Sequence, residues 1–177
     1  MPRMKQRRPD SSEHAPYFSR YIDLVPETDI IGALESQAAE TQKLLAKVDE
    51  SRGGYRYEPD KWSIRQVVGH IEDSERVFAY RALSFARGEK QPLPGFDQNE
   101  WMQTAAFDSS TLRQRVESLG LVRRSTIALF RSLDDEAWER SGIANNASIT
   151  VRALAYTALG HERHHLRVLR ERYAIAT

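Results

Sequence analysis

The sequence contains no cysteine. This absence excludes disulfides, thiolate metal sites and a cysteine nucleophile. Any transition metal must therefore be bound by histidine and carboxylate side chains, and any thiol that reacts must come from outside the protein. The chain also lacks an apolar run long enough to span a bilayer, so we expect no membrane partner. Its net charge is only +1, which argues against nucleic acid as the main partner.

The length of 177 residues suits one compact domain with a substantial core. Residues 1–10 are basic, but no apolar segment follows them, so they do not have the pattern of a secretory signal. We therefore predict a flexible basic N-terminal tail over residues 1–16, a single domain over residues 17–177 and a cytoplasmic location.

Four long segments carry apolar residues at the helical period, and no segment shows convincing strand alternation. Ser63 and Gln66 form a capping-box pattern at the start of the second segment. Residues 134–139 suit one or two further helical turns, and residues 141–147 are predicted to form a polar loop. The pattern predicts an all-α four-helix bundle, with helices over residues 29–50, 63–88, 109–133 and 148–173.

The connection between the second and third helices, residues 89–108, is long for a helical bundle. Loops of this length often cover a site. A plain crossover between helices that are not adjacent explains the length equally well. Asp97 lies in this loop, where it would either reach over a site or cap a turn, which is the commoner role of such an aspartate.

The last helix contains the sequence His161-Glu162-Arg163-His164-His165. His161 and His165 are four residues apart, so both rings project from one face of the helix and suit a shared metal ion. The same letters match the zinc-protease pattern H-E-x-x-H. A pair of ordinary solvated or hydrogen-bonded histidines is the third interpretation.

The protease interpretation is disfavoured by the residues that follow the pattern. Glu171 stands where some such proteases place their last ligand, but Val168 replaces the turning glycine and the helix continues. Glu171 would therefore point away from His165.

A metal site within the bundle needs a third donor as well. Apart from His14 in the predicted tail, the remaining candidate is His70 on the second helix, either as a ligand or as an ordinary core histidine.

Four stretches of the chain resemble the DinB/YfiT-like metalloprotein superfamily, over roughly residues 17–173. They are residues 18–24, 61–70, 93–97 and 160–166. Each stretch alone is weakly specific, but their order and spacing together are more specific. The resemblance implies a four-helix bundle in which His70, His161 and His165 hold a divalent metal ion. Characterised members of that family include thiol-dependent transferases and isomerases. Because dimers are common in the family, the resemblance also implies a homodimer.

Three neutral imidazole ligands would leave a divalent cation strongly Lewis acidic, with one position open for water or substrate. Such a cation makes hydroxide available near neutral pH, or ionises a small thiol. Zinc suits this ligand set best, while nickel, iron or manganese would also be tolerated. We therefore predict a metal-dependent hydrolase or thiol transferase that acts on a small-molecule electrophile. The alternative is a non-catalytic binding or assembly protein that holds a structural metal or none.

Two carboxylates are candidates for a catalytic or orienting role. Asp73, about one turn from the candidate ligand on the second helix, is the better candidate for a general base. Glu162 falls within the apolar stripe of the last helix. There it would orient a ligand or, as we favour, form a buried salt bridge with Arg81 or Arg76. His164 lies on the other side of the histidine pair, facing solvent or an interface, or serving as a proton shuttle.

Overall fold

The computed structural model describes residues 7–175 and consists mainly of helices. In chain order the elements are α1 (Ser19–Ile22), α2 (Ile30–Leu45), α3 (Ile64–Ala86), α4 (Gln98–Thr104), α5 (Leu112–Arg131), α6 (Asp135–Glu139), β1 (Ser141–Ala144), β2 (Ala147–Thr150) and α7 (Val151–Arg172). The long helices α2, α3, α5 and α7 pack against one another. The predicted four-helix bundle is therefore confirmed. In the described part of the chain, no helix has both the length and the hydropathy needed to cross a bilayer.

The long helices begin where the sequence offers side-chain caps. The hydroxyl of Ser63 accepts a hydrogen bond from the backbone N–H of Gln66, and the Gln66 side chain accepts one from the N–H of Ser63. Thr111 and Gln114 repeat this capping box at the start of α5, and Thr150 caps α7. These bonds satisfy backbone donors that a helix start leaves free, so they fix where each helix begins.

The apolar core consists of two clusters, which are separated along the helices that carry the candidate histidines. On α3, one cluster extends to Ile71 and the other begins at Phe78. On α7, one cluster extends to Leu159 and the other begins at Leu166. The intervening residues of both helices are rich in histidine and carboxylate side chains. The polar residues therefore lie at a break in the core, between facing helices, where bundles build their metal sites.

A β-hairpin replaces the polar loop predicted at residues 141–147. β1 and β2 pair in antiparallel fashion, with Ser141 opposite Thr150 at the open end. Asn145 and Asn146 form the turn and have positive φ values of 51° and 59°, a conformation that asparagine tolerates and that a tight hairpin needs. The prediction of a loop is wrong because each strand has only four residues, too few for alternation to show.

Residues near the N-terminus pack on the hairpin and on α7. Glu13 is buried and accepts hydrogen bonds from Thr150 at 2.9 Å and from Arg152 at 2.7 Å. The predicted flexible tail over residues 1–16 therefore needs correction around Glu13, because this carboxylate is the partner of a buried arginine. Residues 1–6, which the same prediction includes, lie outside the described residues.

Candidate metal centre

Three histidine side chains meet between α3 and α7, at the break in the core. Nε2 of His161 lies 3.1 Å from Nε2 of His70 and 3.1 Å from Nε2 of His165. The donor atoms of all three rings lie within 4.8 Å of one another. The fold therefore brings together the three histidines that the sequence and the family resemblance single out, although His70 and His161 are 91 positions apart in the chain.

The spacing of these nitrogens fits a shared metal ion. Zinc–imidazole bonds of about 2.0–2.1 Å at a tetrahedral angle place two ligand nitrogens about 3.3 Å apart. Both 3.1 Å distances at His161 are close to this value. A ring nitrogen offers either one proton or one lone pair, so hydrogen bonding fully accounts for only one of the two contacts. A cation between the rings accounts for both.

The surroundings of the cluster hold its rings in the neutral form. His70 and His161 are buried, and His165 is partly buried. Burial lowers the pKa of His70 to about 4 and lowers the pKa of His161 and His165 well below the ordinary value, and neighbouring histidines act in the same direction. A metal ion binds the deprotonated nitrogen, so these rings are already in the form that a cation needs.

Aromatic side chains surround the cluster. The ring centre of Trp62 lies 4.8 Å from that of His70, while Tyr21 and Phe78 lie 5.3 Å and 5.6 Å from His161. Sequence reasoning missed Tyr21 and Phe78 as neighbours of the site. Phe78 could have been found from the helical period, because it lies about two turns after His70 on the same helix. Tyr21 comes from the short helix α1, and no local pattern connects it with α7.

A cavity of about 260 Å³ opens beside the cluster, and His70 and His161 form part of its wall. Aromatic residues from the turn before α1, from α1 and from α3 line it as well. Ser74 and Arg81 add a hydroxyl and a guanidinium from α3. Two of the three candidate ligands, His70 and His161, therefore border a space of small-molecule size, although their rings are largely shielded from water.

The connection between α3 and α5 forms another part of the cavity wall, through Phe96 and Asp97. Backbone hydrogen bonds join Leu93 to Ile143 at 2.9 Å and to Asn145 at 3.1 Å, so this segment is fastened to the hairpin. Asp97 also caps α4 by accepting hydrogen bonds from two backbone N–H groups. The loop thus covers one side of the site. Asp97 has both of the roles considered for it, since it lines the cavity and caps a helical turn.

Glu162 contacts a buried arginine rather than the histidine cluster. Its carboxylate accepts hydrogen bonds from Arg123 at 2.7 Å and from Thr41 at 2.6 Å. Arg123 also donates two 2.7 Å hydrogen bonds to Glu75, so one guanidinium joins α3, α5 and α7. Burial raises the pKa of Glu162, and the charge of Arg123 opposes this shift. The salt-bridge interpretation is therefore correct in kind, but the partner lies on α5 and not on α3.

Asp73 lies on α3 but does not belong to the cavity wall. Its carboxylate accepts a hydrogen bond from Arg76 at 3.2 Å. Burial raises the pKa of Asp73, and the charge of Arg76 opposes this shift. This position does not support the predicted role of Asp73 as a general base beside the cluster.

His164 lies next to the cluster without joining it. Its ring is partly exposed and packs edge-on against Tyr21 and His165, with ring centres 5.8 Å and 5.1 Å away. Burial lowers the pKa of His164, and the charges of Arg167 and Arg20 lower it further. The ring therefore lies toward the surface beside the ligand pair, as its helical position predicts.

Comparison with known proteins assigns the chain to a family. The family model of the DinB superfamily matches residues 33–169, which is most of the chain. The chain therefore belongs to the DinB superfamily, and the family resemblance found in the sequence is confirmed.

Individual relatives agree with this assignment. The Oceanobacillus iheyensis protein OB0413, named as a candidate metal-dependent hydrolase, is 30% identical over 115 residues, covering 62% of this chain. The chain spans 64% of the length of that relative. The solved structure of YfiT from Bacillus subtilis, titled a probable metal-dependent hydrolase with an unusual four-helix bundle topology, matches with a TM-score of 0.72 and 19% identity. This match covers 98% of this chain and 97% of YfiT.

A mycothiol-dependent maleylpyruvate isomerase is a more distant structural neighbour. Its TM-score is 0.65 at 11% identity, and the match covers 82% of this chain and 61% of the isomerase. At such low identity, the likeness to YfiT and to the isomerase shows a common fold.

Proposed function

We propose that this protein is a metal-dependent enzyme in which His70, His161 and His165 hold a divalent cation at the cavity wall. The observation that carries the proposal is the pair of 3.1 Å approaches between neutral Nε2 atoms, which suit a shared cation and leave hydrogen bonding incomplete. A bound cation would supply Lewis acidity that lowers the pKa of water or of a small thiol. Zinc fits best, and nickel, iron and manganese are compatible with the ligand set.

The other residues of the site hold and shield the reacting groups. Burial keeps the three rings neutral, and the aromatic side chains around them limit access of water. The cavity of about 260 Å³ lies below the usual range of about 300–1,000 Å³ for pockets that bind drug-sized ligands. The substrate that this site suits is therefore a small electrophile.

Two reactions fit this arrangement. In hydrolysis the nucleophile is water, and the names given to OB0413 and YfiT support this choice. In thiol transfer the nucleophile is an external low-molecular-weight thiol, because the chain has no cysteine, and the fold shared with a mycothiol-dependent isomerase supports this alternative. The homodimer and the cytoplasmic location stay predictions.

Elemental analysis of the purified protein tests the metal, with about one divalent ion per chain expected. The metal-loaded protein is then assayed with small electrophiles, with and without an added thiol. Turnover without thiol would remove the transferase proposal.

Removal of the metal by a chelator separates catalysis from a structural role. Loss of activity with retained helicity, measured by circular dichroism, supports the enzyme. Melting of the bundle on chelation would support the non-catalytic alternative with a structural metal.

A further inference from the structure

The fold buries three arginine side chains among residues 7–175: Arg81, Arg123 and Arg152. Arg123 and Arg152 are each paired with two carboxylates. Arg81 is only 4% exposed, yet it forms no salt bridge with a described residue. Its hydrogen bond goes to the backbone oxygen of Pro94, at 2.9 Å. A buried charge without a counter-charge is costly, so this guanidinium has a charge that the described part of the protein leaves unbalanced.

Arg81 lines the same cavity as His70 and His161. Ser74 lies between His70 and Arg81 on α3 and also lines the cavity; it is 1% exposed, and within the described chain its Oγ has no hydrogen-bond partner. Positions 70, 74 and 81 share one face of α3, because separations of four and eleven residues return to nearly the same helical angle. One side of the cavity is therefore lined by two histidines of the cluster, by the Ser74 hydroxyl and by the Arg81 guanidinium, which has no counter-charge among the described residues.

The acidic residue in the cavity wall does not neutralise Arg81. Asp97 lines the cavity, but its carboxylate accepts two backbone N–H groups at the start of α4 and makes no salt bridge with Arg81 in the described structure. Burial lowers the pKa of Arg81. Arginine nevertheless remains charged at neutral pH, since its ordinary pKa is so high. The cavity thus presents a positive charge at one end.

We propose that Arg81 and Ser74 bind the anionic group of the substrate, and that this substrate is a small organic acid with an apolar body and a terminal carboxylate. The inference rests on the proposed function, since the electrophilic end of the substrate would lie at the histidine cluster. A guanidinium binds a carboxylate through two parallel hydrogen bonds, and the aromatic side chains of the cavity suit an apolar body.

The positions along α3 limit the length of such a substrate. His70 and Arg81 are about 16 Å apart along the helix axis. The long arginine side chain, which leans toward the start of the helix, spans part of this distance. An acid with a body of about one aromatic ring and a short linker therefore suits the space between the two ends.

Isothermal titration calorimetry with phenylacetate and its neutral analogue phenylacetamide tests the inference, in metal-loaded and in chelator-treated protein. Phenylacetate should bind both forms, and the affinity for phenylacetamide should be lower by about tenfold or more. Arg81→Gln should weaken phenylacetate binding about tenfold or more, while Arg81→Lys, which keeps the charge, should lose less. Arg87→Gln removes an exposed charge at the end of the same helix and should change nothing.

Ser74→Ala gives a second measure that leaves the contact between Arg81 and Pro94 intact, and it should weaken binding by about two- to fivefold. Equal affinity of the two ligands, unchanged binding by Arg81→Gln, or no measurable binding to the unaltered protein would overturn the inference. Loss of binding on chelation alone would place the carboxylate at the metal and would overturn it too. Phenylacetate binding through Arg81 in a protein that takes up no metal would instead refute the proposed function and keep the anion site.

Discussion

Removal of the buried arginine on α5 should cost the bundle a large part of its stability. Arg123 is 2% exposed and bonds to Glu75 and Glu162 at 2.7 Å. Arg123→Met retains much of the side-chain volume but leaves two carboxylates buried without a cation. Breaking a buried ion pair by removing one partner costs about 3–5 kcal/mol, so we expect a loss of this size in the free energy of unfolding near neutral pH. A domain of ordinary stability, about 5–15 kcal/mol, would remain at least marginally folded.

Equilibrium denaturation with urea, followed by circular dichroism, measures this loss. Arg131→Met is the matched control on the same helix, because Arg131 and its partner Glu35 are 49% and 44% exposed, and we expect a loss below about 1 kcal/mol. A triple variant in which Glu75 and Glu162 also become glutamine should regain most of the stability, since no buried charge remains. A loss below about 1 kcal/mol for Arg123→Met, or a triple variant less stable than the single one, would refute the reasoning.

The loss in the free energy of unfolding that Arg123→Met causes should also depend on pH. Burial already raises the pKa of Glu162 above its ordinary value of 4.5, and the variant lacks the opposing charge of Arg123, so this pKa should rise further. A group with a higher pKa in the folded than in the unfolded state binds more protons when folded, and its contribution is lost as pH rises through the folded pKa. The difference from the unaltered protein should therefore shrink toward about pH 5 and grow at neutral pH. A difference that stays constant over this range would contradict the proposed cause.

The remaining predictions concern the metal ligands and the packing of α7. His161→Ala should lower the metal content far more than His164→Ala, because Nε2 of His161 approaches both partner rings; equal losses in elemental analysis would contradict the ligand set. Gly160→Ala should destabilise the protein by about 1–3 kcal/mol in urea denaturation, because a Cβ there would lie 2.0 Å from the backbone oxygen of Tyr21. Gly120→Ala is its control, since a Cβ there would meet a flexible side chain at 3.0 Å, and it should be neutral or stabilising by up to about 1 kcal/mol.

The long helices could be predicted because their signals are local. The capping box and apolar period of the second segment predict residues 63–88, and the structure has Ile64–Ala86. The first predicted helix, residues 29–50, ends earlier, at Leu45. The chain there changes to turns and then to a 3₁₀ helix at Glu50–Gly54. Both conformations keep part of the helical pattern of side chains, so the apolar period alone does not mark the true end.

The candidate site could be predicted only in part. The four-residue spacing points to His161 and His165, and the family resemblance adds His70. The partner of Glu162 depends on how α5 is shifted and rotated against α7, and no local pattern records that arrangement. The lack of a counter-charge for Arg81 among the described residues could not be predicted either, because it depends on where the fold places the acidic residues.

The histidine cluster and the buried ion pairs are connected through the helices that they share. Glu162 follows His161 directly on α7, and Glu75 lies five residues after His70 on α3. Arg123 binds both carboxylates, so it fixes how far α3 and α7 can slide or turn against each other. A slide of one helical turn, about 5.4 Å, would separate the histidine nitrogens, whereas a shared cation needs bonds of about 2 Å. Because buried ion pairs contribute little net stability compared with apolar packing, we interpret their main effect as alignment of the two helices that carry the ligands.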